Sequence, residues 1–332
     1  MTIDETTSKQ LLETWARILE AENPAHDPWL ERHQECATQP GATTYIRHRE
    51  DMLALARLTD LTDLEILEAG CGFGFGLIYY AARGAKAYGL ELYEPMVRTI
   101  EAYMPLVPDE WAERIQVSLG DATDMPYADE SLDVVVSNEA ISHYHDVDAF
   151  IREAHRVLRP GGTLIVADGN NSLNPLIRHR NYTWFREVEE EGGGDAIFQQ
   201  SFREKRLALV SREFGFDDST AAEIARGTSG MTRDQVLAAG KTYTETGALP
   251  TSYFNRDTVP VDPESGQAIE RLLNPYALAR ALRRAGFTST RTVGYWGGAA
   301  GKPIVRLGNR VLTPLSPIAI FSAQSFRIVA LR

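Results

Sequence analysis

Four glycines at alternate positions follow an apolar run and an acidic residue, a spacing typical of a turn that contacts a ligand through its backbone. The acid is Glu68, and the glycines are Gly70, Gly72, Gly74 and Gly76. The apolar stretch Leu77–Ala82 comes next, so the pattern predicts a buried strand, a turn with few side chains, and a helix. Glycine suits such a turn because it adopts positive φ and lets the backbone approach a ligand closely.

A second acid, Glu91, ends the next apolar stretch, Ala87–Leu90, and follows Gly70 by 21 residues. An acidic residue at about that distance, at the tip of the second strand of a βαβ unit, is placed to hydrogen-bond a ribose diol. We include Leu92, the residue after Glu91, among those expected to bind this ligand. The expected ligand is therefore a nucleoside.

The glycine spacing argues against a dinucleotide. The dinucleotide fingerprint is Gly-x-Gly-x-x-Gly, with the pyrophosphate at the helix N-terminus. Counting from Gly70, the sixth position is Phe75; counting from Gly72, it is Leu77. Glu68 would also place a negative charge beside the pyrophosphate. A ligand with a cationic amino-acid tail suits Glu68 better.

The loop resembles the first motif of the class I S-adenosylmethionine-dependent methyltransferases, an acid-x-Gly-x-Gly-x-Gly sequence matched by Glu68–Gly74. Three further segments resemble that family in the expected order: 120–122, 129–138 and 158–168. The resemblance implies S-adenosylmethionine as the cofactor, with Asp121 accepting the adenine amino group and the next backbone N–H meeting the ring. It implies that the cofactor is bound by Glu68, Gly70, Cys71, Gly72, Gly74, Glu91, Leu92, Asp121, Ala122 and Asn138.

Composition argues against several partner classes. The 332 residues carry a net charge of −12, which disfavours nucleic acid because phosphate neutralisation supplies most non-specific affinity. No apolar run approaches the length of about 18 residues that spans a bilayer, and the N-terminus lacks a signal-peptide pattern, so no membrane partner is expected. Cys36 and Cys71 suit neither a disulfide framework nor a metal site. We expect a cytoplasmic protein that binds a small molecule, with a homodimer possible.

The hydrophobic pattern divides the chain into four segments. We interpret residues 1–60 as an N-terminal helical cap, and residues 61–169 as the cofactor-binding core, because strand and helix patterns alternate there. Residues 170–273 interrupt the core, and residues 274–332 complete it with a helix and two strands. The expected fold class is α/β: a Rossmann-like, doubly wound seven-stranded sheet whose last strand is antiparallel, as the resemblance implies.

Residues 170–273 are expected to form a mostly helical lid that binds the substrate. In open α/β sheets, ligands bind beyond the carboxyl ends of the strands, and this insertion leaves the sheet after strand five. Helices are expected at 202–214, 220–226 and 233–244, with Thr232 and Gln235 as a capping box. We interpret 187–194 as a solvated turn. An oligomerisation arm is the other interpretation of the insertion.

Three residues after the fourth strand are candidates for the methyl transfer that the resemblance implies. Such a transfer is an in-line displacement, and a base is needed only when the acceptor must lose a proton. His143 is the first candidate base and His145 the second, although His143 can instead hydrogen-bond a loop carbonyl. Glu139 can steer a cationic intermediate, accept a proton or anchor a backbone N–H of the lid. No metal site is expected, because the two histidines are two residues apart and diverge on a helix.

Arg178, His179 and Arg180 form a positive cluster within the lid, and with Tyr253 they are the candidate substrate-binding residues. Arginines suit a phosphate or carboxylate on the acceptor, although such clusters also occur on solvated helix faces. The expected acceptor atom is a hydroxyl of a sugar or other secondary metabolite. The alternatives are a carbon or nitrogen methyltransferase that uses Glu139, and a non-catalytic S-adenosylmethionine-binding regulatory subunit.

Overall fold

The computed structural model describes residues 3–21, 30, 33–192, 200–264, 266, 268–296 and 303–332. The chain forms two compact units. The first consists of Met1–Ile141, Asp146–Asn174 and Leu273–Arg332, and the second of Ser142–His145 and Pro175–Leu272. Within the described residues, no helix is long and apolar enough to cross a membrane.

A seven-stranded sheet forms the centre of the first unit, with the order β3-β2-β1-β4-β5-β7-β6. Its strands are β1 (Glu65–Ala69), β2 (Lys86–Glu91), β3 (Ile115–Leu119), β4 (Leu132–Asn138), β5 (Leu158–Asp168), β6 (Ser289–Tyr295) and β7 (Ser325–Leu331). Strands β1 to β5 pair in parallel, and β7 is antiparallel to both β5 and β6. The expected α/β fold class, with its antiparallel last strand, is therefore confirmed.

Helices connect and cover these strands. In the first unit they are α1 (Glu5–Glu20), α2 (Gln39–Leu55), α3 (Phe75–Ala82), α4 (Glu94–Tyr103), α5 (Asp109–Ala112), α6 (Val147–Val157), α11 (Pro275–Arg284), α12 (Pro303–Leu312) and α13 (Ser316–Ala319). Asp4 caps α1 by accepting from the Thr7 amide, and Asn274 caps α11, as its position before Pro275 predicts. Buried side chains of α1 and α2, including Trp15 and Ile46, share a core with the sheet residues Ile66 and Val136.

The second unit contains α7 (Pro175–Arg186), α8 (Phe202–Phe214), α9 (Asp218–Arg226) and α10 (Arg233–Thr246). Capping boxes begin α8, where Ser201 pairs with Glu204, and α10, where Thr232 pairs with Gln235 as expected. Helices α8 to α10 pack through a small apolar core that consists of Leu209, Val210, Ala221, Ile224 and Val236. This core gives the insertion a packing centre of its own.

The interpretation of the acidic stretch after α7 as a solvated turn is wrong for the part that the structure describes. Glu187–Glu191 form a π-helical turn, and Glu189 is buried at 2% exposure. The guanidinium of Arg206, itself fully buried on α8, donates to both carboxylate oxygens of Glu189. A buried carboxylate is tolerated here because an equally buried cation compensates it. Gly193 and Gly194 lie outside the described residues.

Asp133 and Arg159, which belong to two of the motifs, serve the sheet. The Asp133 carboxylate accepts from the Glu65 amide at 2.8 Å and binds the Arg159 guanidinium at 2.6 Å. These contacts join the amino-terminal ends of β1, β4 and β5. Both residues lie at the amino ends of the parallel strands, opposite the edge where ligands bind.

Candidate active site

The glycine turn between β1 and α3 has the backbone geometry that its sequence predicts. Gly70, Gly72 and Gly74 all have positive φ, at 72°, 55° and 71°. A Cβ added to Gly72 would meet nothing within 4 Å, whereas one added to Gly74 would lie 2.7 Å from the Tyr103 hydroxyl. Gly74 is therefore required by packing, and Gly72 leaves its backbone accessible to a ligand.

Glu91 joins the end of β2 to this turn. Its Oε2 accepts from the Gly72 amide at 2.9 Å, and its Oε1 accepts from the Tyr93 amide at 3.0 Å. These two bonds fix the carboxylate beside the glycine turn, at the end of β2. Burial raises the pKa of the Cys71 thiol well above its usual range, and the neighbouring Glu91 and Glu68 raise it further. Cys71 is consequently an uncharged residue of the turn at neutral pH.

Asp121 and Ala122 follow β3, the strand next to β2. Asp121 Oδ1 accepts from both the amide and the hydroxyl of Thr123 at 2.8 Å, which fixes the carboxylate. Ala122 is buried, and the Gly120 amide donates to the Glu91 carbonyl. The sequence-predicted residues at 68–74, 91 and 121 thus lie at the same carboxyl edge of three adjacent strands.

Glu68 has a partner that no motif indicated. Its Oε1 accepts from Nη2 of Arg49 in α2 at 2.8 Å, and both side chains are almost fully buried. The Arg49 guanidinium also lies over the Tyr45 ring, 4.2 Å from its centroid. Glu68 Oε2 is buried and has no hydrogen-bond partner in the described part of the chain. One oxygen therefore pairs with Arg49, and the other is a buried acceptor suited to an ammonium group.

The carboxyl ends of β4 and β5 and the amino end of the antiparallel β7 carry a second group of buried polar atoms. Asn138, Ala167 and Arg327 are register neighbours across these strands, so their side chains share one face of the sheet. Among the described residues, Asn138 Oδ1 and the Nε and Nη2 atoms of Arg327 have no hydrogen-bond partner. Arg327 is only 4% exposed. The Oδ1 acceptor of Asn138 and the two N–H donors of Arg327 thus lie on either side of Ala167. A buried donor or acceptor costs free energy when it is left unpaired.

The Arg327 guanidinium lies over the Tyr295 ring, 3.8 Å from its centroid. His48 of α2 packs edge-on against the same ring at 5.7 Å. Burial lowers the pKa of Arg327, although Tyr295 and more distant acids that include Glu139 oppose this. Burial, with Arg327 and Arg49, also lowers the pKa of His48, which keeps that imidazole neutral. Sequence reasoning missed Arg327, Tyr295 and His48 because none belongs to a motif.

Glu139 lies directly after β4 in a left-handed conformation with φ 52°. Its amide donates to the Ala167 carbonyl at 2.7 Å, and its Oε2 accepts from the Gly169 amide at 2.9 Å. Gly169 is the last residue of the predicted core, so this bond is not the predicted contact with a lid N–H, and the predicted roles of Glu139 stay predictions. A left-handed non-glycine residue costs free energy and often marks a functional position.

His143 makes a hydrogen bond that fixes its tautomer. Its Nδ1 lies 3.1 Å from the Ala268 carbonyl, and both residues belong to the second unit. Because a carbonyl oxygen only accepts, Nδ1 carries the proton and Nε2 is the acceptor in the neutral ring. His145 is exposed, and its carbonyl accepts from Arg271 at 3.4 Å. No cluster of three or more metal-ligating side chains occurs within the described ranges.

The predicted substrate-binding residues of the insertion lie at the surface of the second unit. Arg178, His179 and Arg180 are exposed on α7. Tyr253 is half-exposed, and the Arg226 guanidinium lies 5.6 Å from its ring centroid. Their predicted role in acceptor binding remains a prediction.

Comparison with known proteins identifies similar chains. The family described as a methyltransferase domain matches residues 67–166. The 27-O-demethylrifamycin SV methyltransferase of Amycolatopsis mediterranei is 32% identical, over 62% of this chain and 70% of that protein. A probable S-adenosylmethionine-dependent methyltransferase of Mycolicibacterium smegmatis is 36% identical over 39% of this chain, a match that spans 51% of the relative's length. A methyltransferase structure from Mesorhizobium loti matches 84% of this chain and 95% of its own, with 17% identity and a TM-score of 0.45.

The sheet order and the acids at the ends of β1, β2 and β3 define a nucleoside-binding α/β protein. With the relatives above, the chain belongs to the class I S-adenosylmethionine-dependent methyltransferases. Its cofactor is S-adenosylmethionine, and the glycine turn fits it. The open side of Gly72 admits a ligand, and the unpartnered Glu68 Oε2 suits the ammonium of an amino-acid tail.

Proposed function

We propose that this methyltransferase methylates an oxygen of a small-molecule acceptor, such as a hydroxyl of a sugar or secondary metabolite. The observation that carries the proposal is that Asn138 Oδ1 and the Nε and Nη2 atoms of Arg327 are buried, at the edge of the sheet where β4 and β5 end, without a hydrogen-bond partner among the described residues. The N–H donors of Arg327 suit an oxygen that bears or gains negative charge, and Asn138 Oδ1 accepts from a hydroxyl. The names of two relatives, the rifamycin enzyme above and a malonyl-[acyl-carrier protein] O-methyltransferase of Methylococcus capsulatus, also specify oxygen.

The cofactor is assigned to the edge formed by β1, β2 and β3. Glu91 is proposed to bind the ribose and Asp121 the adenine amino group, with the backbone at Gly72 beside the amino-acid tail. Glu68, whose charge Arg49 partly balances, is proposed to accept from the ammonium of that tail. S-adenosylmethionine supplies an electrophilic methyl group bound to a sulfonium.

Asn138, which the resemblance assigns to the cofactor, is instead proposed here to face the acceptor. Arg327 and Asn138 would then orient the acceptor oxygen for in-line attack. Its lone pair forms the new carbon–oxygen bond while the carbon–sulfur electron pair stays on sulfur. For a neutral hydroxyl acceptor, the prediction that His143 acts as the base stays a proposal. The Nδ1–H bond to Ala268 is the loop-carbonyl contact that was the alternative to this role, and the two are compatible because the bond leaves Nε2 as the acceptor. Residues 170–273 are proposed to select the acceptor.

A carbon or nitrogen acceptor is the second candidate, and the conformation of Glu139 favours it. The carboxylate follows β4 directly and is held in the left-handed region by bonds to the backbone of 167 and 169. A fixed negative charge at this edge would stabilise a cationic intermediate. Under this alternative, Glu139 rather than His143 is essential for turnover.

The test uses a radiolabelled methyl donor and a panel of hydroxyl, amine and carbon acceptors. Oxygen methylation predicts an O-methyl product and a loss of turnover in His143→Ala that is larger than in Glu139→Gln. The reverse order, with a product labelled at carbon or nitrogen, would overturn the proposal in favour of the alternative. Calorimetry with S-adenosylhomocysteine serves as the control, because all variants should bind it with wild-type affinity.

A further inference from the structure

The segment from Pro303 to Ser322 exposes its large apolar side chains, and we call it the C-terminal segment. It contains α12, a turn at Thr313–Leu315, α13 and a turn at Ile320–Ser322. Six of its large apolar side chains are between 46% and 78% exposed: Ile304, Leu307, Val311, Leu315, Ile318 and Phe321. Solvent exposure of this kind is common for single apolar residues and uncommon for a contiguous series.

The spacing of these residues is helical. Ile304, Leu307, Val311, Leu315 and Ile318 are separated by three or four positions, which places such side chains on one side of a helix. In an ordinary surface helix this apolar stripe faces the protein core. Here it faces outward.

Polar contacts within the first unit fix this outward orientation. Asn309 exchanges two hydrogen bonds with the backbone of Trp296, at 2.7 and 2.8 Å. The buried Ser316 hydroxyl accepts from the Gly294 amide at 2.9 Å, and the Asn171 amide group donates to the Ile320 carbonyl at 2.8 Å. The side of the segment that faces the sheet is therefore satisfied by small and polar groups, and a rotation that buried the apolar stripe would break these bonds.

Residues 271–332, which include the C-terminal segment, carry a net charge opposite in sign to that of the rest of the chain. Residues 271–332 contain ten lysines and arginines and no acidic residue, whereas the preceding 270 residues contain 24 basic and 46 acidic residues. Arg310 is exposed on α12, the same helix as Ile304 and Leu307. Lys302, which directly precedes α12 in the sequence, lies outside the described residues. A strong local charge asymmetry of this kind indicates an anionic partner.

We propose that the C-terminal segment docks on an anionic lipid bilayer, with its apolar side chains inserted among the headgroups and Arg310 contacting lipid phosphates. Interfacial helices combine an outward apolar face with lysine and arginine, and need not have the length of a membrane-spanning helix. The expectation of no membrane partner rested on the absence of a spanning run, which does not bear on a surface contact. A symmetric contact between two copies is disfavoured, because it would bring two basic, acid-free segments together.

The test is flotation of the purified protein with phosphatidylcholine vesicles, with and without phosphatidylglycerol. Wild type should float with the anionic vesicles only, and added salt should release it. Leu307→Asn with Ile318→Asn should lower the partition coefficient about tenfold or more, since two large apolar side chains no longer leave water. Arg310→Glu should lower it on anionic vesicles.

Leu176→Asn is the matched control, because Leu176 is 79% exposed but lies in the second unit. All substituted side chains are exposed, so melting temperatures and S-adenosylhomocysteine affinity should match wild type. Absence of flotation with anionic vesicles would overturn the proposal. A second result would also overturn it: wild type is a dimer, and the Leu307 and Ile318 changes convert it to a monomer without altering flotation. The apolar stripe would then be an interface between copies. Lipid binding does not depend on the identity of the acceptor.

Discussion

Arg49 and Glu68 form a buried ion pair, 2.8 Å between Nη2 and Oε1, that joins α2 to the strand before the glycine turn. Gly76, in the first turn of α3, has no room for a Cβ because the Glu68 and Arg49 side-chain ends occupy that space. The ion pair, the glycine turn and α2 therefore form one packed arrangement, so the helices before the sheet support the cofactor site.

Breaking this ion pair should destabilise the protein strongly. Arg49→Met leaves a buried carboxylate uncompensated, and Glu68→Gln leaves a buried guanidinium, so each should cost about 3–5 kcal/mol. The double variant should lose less than the sum, because the two residues are coupled. Urea unfolding measures all three. Lys86→Met, which removes the exposed pair with Glu65, is the control and should cost at most about 1 kcal/mol. Equal, small losses throughout would contradict this account.

His48 should make stability depend on pH just below neutrality. Burial, Arg327 and Arg49 hold its pKa well below the ordinary 6.5 in the folded protein. As pH falls below about 6.5, the unfolded chain takes up a proton that the folded chain does not, so stability falls with a limiting slope of about 1.4 kcal/mol per pH unit. His48→Phe keeps a ring against Tyr295 and removes the titration, so its stability between about pH 7 and pH 5 should decline less.

His145→Phe, at an exposed position, is the control for the replacement of a histidine by phenylalanine itself. Stability is measured by urea unfolding at each pH. If the stability of wild type and of His48→Phe depends on pH with the same slope, the lowered pKa of His48 is contradicted.

Glu91→Gln should weaken cofactor binding and also lower the melting temperature of the ligand-free protein. The carboxylate accepts from the amides of Gly72 and Tyr93, so it holds the turn as well as facing the proposed ribose. Hydrogen bonds to a charged acceptor contribute roughly 1.5–3 kcal/mol, so affinity for S-adenosylhomocysteine should fall at least tenfold by calorimetry. Glu94→Ala, an exposed acid three residues later, is the control. Unchanged affinity in a folded Glu91→Gln variant would exclude the ribose assignment.

The sequence predicted the positions of those residues that end or directly follow a parallel strand. These are the glycine turn, Glu91, Asp121 and Asn138, and the carboxyl ends of parallel strands meet at one edge. Arg49 and Arg327 were missed for a different reason. Arg49 reaches Glu68 from a helix before the sheet, and Arg327 is aligned with Asn138, across Ala167, only through the register of an antiparallel last strand. Hydrophobic periodicity places such residues on a helix or strand but does not identify their partners.

Arg327→Met should distinguish a ligand-binding residue from a structural one. If the guanidinium supported the fold, its loss would destabilise the protein. Two of its nitrogens are buried without a hydrogen-bond partner in the described part of the chain, so replacing it with an apolar side chain of similar length should leave the free energy of unfolding unchanged or raise it. The KM for the acceptor should rise at least tenfold while S-adenosylhomocysteine affinity remains the same. Arg327→Lys, which keeps the charge, should recover part of the acceptor binding. A large loss of stability in Arg327→Met would assign the residue to the fold.

The exposed cluster on α7 makes a separate prediction about salt. Arg178 and Arg180 are exposed, so if they contact an anionic acceptor, that contact is screened over about 10 Å at 0.1 M salt. Arg178→Ala with Arg180→Ala should raise the acceptor KM at low salt, and this effect should shrink as salt increases, with cofactor affinity unchanged. The effect of Arg327→Met should persist at high salt, because a buried charge is screened much less. Measurement of KM for both variants across a salt series separates the two contributions. If the double alanine variant has the wild-type KM at every salt concentration, the cluster is a solvated helix face, and recognition of negative charge rests on Arg327.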